Sequence, residues 1–214
     1  MTPHARRDAG TSLAEVLVSR GYVDPIAIAL PRGGVPIGAV IADALGAALD
    51  VWLARDIPVP FHRERVLGGA AEGGTLVFDE AERAALEPIM VREVVRREQE
   101  LLRHDVARFR SGLAAPSVRG CTAIIVDDAI ETPWRVLAVV RELVARGAAK
   151  VVVATPILTA AAAEALRHVA ADIACVTLAE DAAQVHAWRI ALPLVTDLDI
   201  ALATEYASIS LSAG

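Results

Sequence analysis

The 214-residue sequence predicts an α/β fold in which helices flank a parallel β-sheet. Short apolar runs alternate with helical patterns along most of the chain, which is typical of repeated strand–helix–strand units. A glycine-rich turn joins one of these strands to the next helix, and 55% of the residues are hydrophobic, enough for a large core. The length fits one α/β domain, so we expect residues 1–214 to form a single domain.

The first part of the chain predicts a helix followed by a strand–turn–helix–strand unit. The helix is expected over 11–20, where apolar residues recur at helical spacing. Residues 26–30 form a compact apolar run that ends at the turn Pro31-Arg32-Gly33-Gly34. A helix is then expected over 36–45 and a second strand over 49–54, an order that indicates a parallel strand pair.

The middle of the chain predicts a long mobile loop over about 56–80. It contains several Gly and Pro breaks and a charged patch, and only 75–78 predicts one arm of a short hairpin. A loop of this length inside a compact domain is typically functional or disordered. Beyond it we expect a short helix over 81–86 and a long helix over 89–110 with one apolar and one solvated, charged face.

The second half of the chain returns to alternating strands and helices. Apolar runs predict strands over 121–126, 151–154 and 173–178. Helical patterns between them predict helices over 133–145 and 160–169. The tail shows only weak periodicity, so no element is predicted there.

The charge balance argues against a nucleic-acid-binding protein. The chain carries 27 acidic and 21 basic residues, for a formal net charge of -6 at pH 7. Proteins that follow a phosphate backbone need an excess of Lys and Arg. The N-terminus has no apolar stretch of signal length, and no uncharged run is long enough to cross a membrane. We therefore expect a cytoplasmic protein with no nucleic-acid or membrane partner.

Two adjacent carboxylates directly follow the strand predicted over 121–126. Ligands of open parallel sheets bind beyond the C-terminal ends of the strands, which is where Asp127 and Asp128 fall. Two carboxylates there can hold a metal ion or accept hydrogen bonds from sugar hydroxyls. The alternative is that Asp128 caps the next helix and the pair binds nothing, although a cap accounts for only one of the two acids.

The turn Pro31-Arg32-Gly33-Gly34 is the second candidate ligand site. Glycine lets a ligand approach the backbone closely, and free N–H groups at the start of the following helix favour an anion. Arg32 adds a side chain that can donate two hydrogen bonds to a phosphate. Because glycine-rich turns are common, a turn without a ligand is the alternative.

Together the turn and the acid pair resemble the type I phosphoribosyltransferase family, over about residues 26–178. The resemblance extends to Ala71-Glu72-Gly73-Gly74 and to the long helix, which is rich in Arg and Glu. It implies a parallel sheet flanked by helices with a small hood, and a middle loop that closes over the site.

The same resemblance implies roles for the candidate residues. Arg32, Gly33 and Gly34 would bind the pyrophosphate of phosphoribosyl pyrophosphate. Asp127 and Asp128 would be the catalytic and metal-binding pair, on the ribose side, with Mg²⁺ between the pyrophosphate and the ribose hydroxyls. The family also suggests a homodimer.

The loop after the acids departs from the family's pattern. The family has Gly, an aliphatic residue, Ala, Thr, Gly, a small residue and Thr. This chain has Ala129, Ile130, Glu131, Thr132, Pro133, Trp134 and Arg135. Glu131 brings a negative charge to the place of a 5′-phosphate, a repulsion of a few kcal/mol at about 4 Å, and Pro133 removes an N–H donor. We expect binding of a 5′-phosphate in the usual pose to be weakened or lost.

Three further residues are candidates by position. Similar proteins often carry a basic pair after the second strand, where this chain has Arg55 followed by Asp56, and only Arg55 suits an anion. His62 falls in the predicted middle loop, where a ligand could reach it. Trp134 either packs against the protein or forms a stacking wall for a flat ligand.

Two functions are consistent with these residues. The first is an enzyme that transfers a pentosyl or pentosyl-phosphate group from a pyrophosphate-activated sugar to an unidentified acceptor, with altered donor recognition. The second is a non-catalytic protein that keeps the fold to sense a ligand or bind a partner. An open polar pocket beside a mobile loop favours the enzyme, and a pocket plugged by Trp134 favours the second.

Overall fold

The structure is a computed structural model that describes residues 5–110, 114–196 and 199–200. Its strands are β1 (Pro25–Ala29), β2 (Ala48–Val51), β3 (Ala54–Val59), β4 (His62–Ala71), β5 (Leu76–Phe78), β6 (Thr122–Val126), β7 (Lys150–Thr159) and β8 (Asp172–Ala179). Its helices are α1 (Ala5–Arg20), α2 (Gly34–Leu45), α3 (Glu80–Ala84), α4 (Pro88–Arg110), α5 (Trp134–Ala145), α6 (Ala160–Arg167) and α7 (Ala182–Ala191).

A five-stranded parallel sheet with the order β2-β1-β6-β7-β8 carries the fold. Successive side chains of its strands point to opposite faces, so each strand contributes to two cores. In β6, Ile124 packs with α1 and α2 on one face, whereas Ile125 packs with α5 and α6 on the other. The predicted α/β fold class is confirmed, with helices on both faces of the sheet.

The predicted loop over 56–80 is wrong as secondary structure, because β3, β4 and β5 form an antiparallel sheet there. This second sheet buries Ile57 and Leu67 against Leu102 of α4. The loop prediction failed because β4 starts with four exposed polar residues and contains Gly68 and Gly69, features that are typical of loops. The expected small hood corresponds to this sheet with α3 and α4.

Helix α7 lies in the part of the chain for which no element was predicted. Asp181 caps it by accepting a hydrogen bond from the Gln184 N–H at 3.0 Å. Only Val185 of this helix is buried, so its sequence shows little amphipathic periodicity.

Within the described ranges, no helix combines the length and the hydropathy that a membrane span requires.

Candidate functional site

The C-terminal edge of the parallel sheet brings the glycine turn and the acid pair together. Strands β1 and β6 are neighbours, with Ala29 opposite Val126, so the residues that follow them share one edge. A Cβ atom on Gly33 would lie 1.7 Å from Asp128 Oδ2, and one on Gly34 would lie 2.3 Å from the Val126 carbonyl oxygen. Glycine is therefore required at both positions for the turn to contact the acid pair.

The turn itself presents a side-chain cation rather than a row of free backbone donors. A cis peptide bond joins Pro31 and Arg32. The N–H of Gly34 donates to Leu30 O at 3.1 Å, and the N–H of Val35 donates to Arg32 O at 3.3 Å. Arg32 is exposed, so it is the positively charged group that this turn offers to an anion.

Asp127 is paired with Arg135, which lies in the first turn of α5. The Asp127 side chain is 3% exposed, and its Oδ2 accepts a hydrogen bond from Arg135 Nη2 at 2.6 Å. Its Oδ1 accepts a hydrogen bond from the Asp128 N–H at 2.9 Å. Burial raises the pKa of the Asp127 carboxyl, and the Arg135 charge opposes that rise. The nearby Asp127 charge raises the pKa of Arg135, which stays protonated.

Asp128 is paired with Arg6 of α1. Its Oδ2 accepts hydrogen bonds from Arg6 Nη2 at 2.8 Å and from Arg6 Nε at 3.2 Å. Arg6 Nη1 also donates to Pro193 O at 2.5 Å. The two side chains are 12% and 15% exposed. No motif marked Arg6, so only the fold identifies it as a neighbour of the site.

The acid pair was expected to hold Mg²⁺, and its arrangement does not fit a metal ion. Both oxygens of Asp127 and one oxygen of Asp128 accept hydrogen bonds from the chain itself. Within the described ranges, no three side chains of the metal-binding types cluster together. A hard cation such as Mg²⁺ needs free carboxylate oxygens, so Arg6 and Arg135 would have to move before it could bind these acids.

The loop between β6 and α5 is fastened by β7 and α7. Ile130 is buried and its N–H donates to Ile157 O at 2.9 Å. Trp188 Nε1 donates to Asp128 O at 2.8 Å. Arg189 donates to Ala129 O at 2.8 Å and lies 3.5 Å from Glu131. Neither Trp188 nor Arg189 was predicted, because they lie in the tail where no pattern was visible.

Two clefts open beside these residues. The turn cleft has a volume of ≈410 Å³, and the loop cleft has a volume of ≈190 Å³. Asp56 and Arg135 line both of them. The turn cleft is lined by Pro31, Arg32, Leu53, Ala54, Arg55, Asp56, Asp105, Phe109 and Arg135. The loop cleft is lined by Asp56, Arg63, Glu64, Val66, Asp127, Ala129, Ile130, Glu131, Thr132, Arg135, Val136 and Arg189.

The remaining candidates are divided between the clefts and other places. Arg55 lines the turn cleft but already pairs with Glu98 at 3.0 Å and with Asp105 at 2.9 Å. His62 is 59% exposed, bonds to a neighbour on β4 and lines neither cleft. Trp134 is half-buried, packs against the core and lines neither cleft. Packing is therefore the interpretation of Trp134 that the structure favours, and it does not plug the site.

The Arg6 contact leads to the first testable prediction. Arg6→Met is expected to lower the free energy of unfolding by about 2 kcal/mol, because it leaves the Asp128 carboxylate partly buried without its counter-charge. Urea denaturation measures the loss. Arg7→Met is the matched control, since Arg7 is exposed on the same helix and its replacement should change stability by less than about 0.5 kcal/mol. Equal losses in the two variants would show that the pair contributes nothing.

The sequence profile of the phosphoribosyl transferase domain matches residues 4–191, which is most of the chain. The chain belongs to the phosphoribosyl transferase family. Two proteins of Mycobacterium tuberculosis, each provisionally named a phosphoribosyl transferase, are 37% identical to it over 154 residues. The match covers 71% of this chain and 35% of each relative, so the chain spans about a third of the length of the curated relatives it matches.

Two solved structures share the fold of this chain. The crystal structure of TT1426 from Thermus thermophilus is 31% identical in sequence and superimposes with a TM-score of 0.77. The match covers 93% of this chain and 95% of TT1426. The AQ2163 protein from Aquifex aeolicus, at 10% identity and a TM-score of 0.51, shares the fold over 82% of this chain and 76% of its own. The resemblance inferred from the sequence is confirmed.

Proposed function

We propose that this protein is a phosphoribosyltransferase-like enzyme that transfers a pentosyl or pentosyl-phosphate group from a pyrophosphate-activated sugar to an acceptor. The observation that carries the proposal is the contact between Gly33 and Asp128. It joins the proposed pyrophosphate turn and the proposed ribose-binding acids at one edge of the sheet. The turn cleft beside them carries Arg32, which suits a pyrophosphate group. Arg55 and Arg135 also line this cleft, and each is paired with a carboxylate of the chain.

The chain's own residues would act by positioning and by charge. Arg32 would hold the departing pyrophosphate, and Gly33 and Gly34, which have no side chains, would let it approach the turn. Asp127 and Asp128 would accept hydrogen bonds from the ribose hydroxyls once Arg135 and Arg6 had turned away. Such a reaction needs no protein nucleophile, because fixed positioning of the reactants and stabilisation of the developing charges accelerate it.

Mg²⁺ belongs to the proposal as a ligand of the donor. The family resemblance implies that Mg²⁺ binds together with phosphoribosyl pyrophosphate. The paired carboxylates do not fit the ion in the arrangement described, so no step is assigned to it. The acceptor base, a homodimer, a cytoplasmic location and a single domain over residues 1–214 also stay predictions.

A second candidate function is a non-catalytic ligand sensor or partner-binding protein. Two ion pairs favour it: Arg135 is paired with Asp127, and Arg6 is paired with Asp128. Each acid has a partner within the chain, so the site is stable without a ligand. The two functions differ in whether a donor can displace these arginines.

Calorimetric titration with phosphoribosyl pyrophosphate, with and without Mg²⁺, tests the enzyme. Micromolar, Mg²⁺-dependent binding would show that the loop after the acids still accepts the donor. Asp127→Asn combined with Asp128→Asn should abolish that binding, because amides accept hydrogen bonds from the ribose hydroxyls more weakly than carboxylates do. Asp43→Asn is the control, since Asp43 is exposed near the end of α2. No binding at millimolar ligand would favour the non-catalytic function. Binding that survives the double substitution would remove the acids from the site.

A further inference from the structure

Thr159, the last residue of β7, holds two successive carbonyl groups of the loop between β6 and α5. Its N–H group donates to Ile130 O at 3.1 Å, and its Oγ1 donates to Glu131 O at 2.8 Å. Thr159 is buried and lines neither cleft. No motif marked this residue, so only the fold identifies it as a support of the loop.

These two bonds set the direction of the N–H groups that follow. The C=O and N–H groups of one trans peptide point in opposite directions, so the N–H groups of Glu131 and Thr132 point away from Thr159. Both residues are partly exposed and line the loop cleft. Among the described residues, neither N–H group has a hydrogen-bond partner. The loop therefore has two adjacent backbone donors on the side opposite Thr159.

The side chains of the loop cleft do not by themselves favour an anion. Four acids and three arginines line it: Asp56, Glu64, Asp127 and Glu131, and Arg63, Arg135 and Arg189. Arg135 is bonded to Asp127, and Arg189 lies 3.5 Å from Glu131. Because these charges nearly cancel, binding of an anion here depends on the backbone donors, whose direction is fixed.

We propose that Thr159 is a positioning residue for the phosphate end of a sugar phosphate. It holds the loop so that the N–H groups of Glu131 and Thr132 donate to phosphate oxygens in the loop cleft. The loop departs from the family's pattern at Glu131 and Pro133, but these two donors remain. The inference rests on the proposed function, because it concerns the same site.

Thr159→Val and Thr159→Ser form a matched pair of variants. Valine has the shape of threonine but no hydroxyl group, so the peptide between Glu131 and Thr132 loses its support, whereas serine keeps the hydroxyl donor. In calorimetric titrations with Mg²⁺ present, Thr159→Val is expected to bind phosphoribosyl pyrophosphate about ten-fold more weakly than the unaltered protein. Thr159→Ser should bind it within about threefold of the unaltered protein.

Backbone amide NMR provides a readout that a loss of stability alone would not change. Thr159 Oγ1 also accepts a hydrogen bond from the Ala162 N–H at 3.2 Å, so valine removes the cap of α6 as well. Ribose 5-phosphate and ribose differ only in the phosphate. In the unaltered protein, ribose 5-phosphate is expected to shift the amide signals of Glu131 and Thr132, and ribose is not. In Thr159→Val the shift at Thr132 should be lost at the same ligand concentration.

The outcomes separate this inference from the proposed function. Binding of phosphoribosyl pyrophosphate that leaves both amide signals in place, or that is equally tight in Thr159→Val, would overturn the inference and leave the proposed enzyme intact. Amide shifts with ribose 5-phosphate in a protein that does not bind phosphoribosyl pyrophosphate would support the role of Thr159 and count against the enzyme. No binding of either ligand at millimolar concentration would overturn both.

Discussion

Arg135→Met is expected to lower the free energy of unfolding by about 3 kcal/mol at neutral pH, because it leaves Asp127 as an unpaired charge in the interior. The Asp127 side chain is 3% exposed, and Arg135 Nη2 lies 2.6 Å from its Oδ2. Arg135 is 21% exposed, so the loss falls at the lower end of the range for buried pairs. Urea denaturation of the two proteins measures it.

The pH dependence of that loss tests its electrostatic origin. Burial already raises the pKa of Asp127 above its unfolded value, and removing Arg135 should raise it further. When the pKa of a carboxyl is higher in the folded protein than in the unfolded chain, its contribution to stability is fully present at pH values below its pKa in the unfolded chain. That contribution is lost as the pH rises through its pKa in the folded protein. The destabilisation by Arg135→Met should therefore be smaller at about pH 4 than at pH 7.

The double variant Arg135→Met with Asp127→Asn provides the control for the ion pair. It removes both charges, so most of the stability lost in the single variant should return. A loss that is the same at both pH values, and is not recovered in the double variant, would assign the effect to packing of the arginine side chain.

Gly69→Ala is expected to cost about 3 kcal/mol of unfolding free energy and to displace the start of α5. A Cβ atom at Gly69 would lie 2.3 Å from the Trp134 carbonyl oxygen and 2.6 Å from the Arg135 backbone nitrogen. Backbone atoms cannot turn aside as a side chain can, so β4 and α5 must separate. Urea denaturation measures the loss.

Gly21→Ala is the matched control for the added methyl group. Gly21 has a φ of 60°, and nothing lies within 4 Å of the position that a Cβ atom would take there. Only backbone strain of about 1 kcal/mol is therefore expected. A loss at Gly69 no larger than the loss at Gly21 would contradict the close packing of β4 on α5.

The parallel sheet could be predicted because each of its central strands is a continuous apolar run bounded by turn residues. Residues 122–126, for example, are buried on both faces. Strand β4 could not be predicted in the same way. Its first half is exposed, and its glycine pair is explained only by contacts with β5 and α5. Those contacts join segments far apart in the sequence, so they cannot be inferred from the residues of β4 alone.

The candidate site could also be predicted only in part from the sequence. The glycine turn and the acid pair could be found because both follow strands of one parallel sheet. Their partners could not, since Arg6 is 122 residues from Asp128, and Trp188 is 60 residues from it. The sequence also left His62 as a candidate, and the structure places it outside both clefts.

The separation of Arg6 from Asp128 has a consequence for folding kinetics. Contacts between residues far apart in sequence form only after the loop-closure entropy between them has been overcome. The pairing of Pro25 with Thr122 between β1 and β6 also spans a long stretch of chain, so sequence separation does not decide which of the two contacts forms first. A partly folded form in which α1 is not docked leaves Asp128 without its arginine partner.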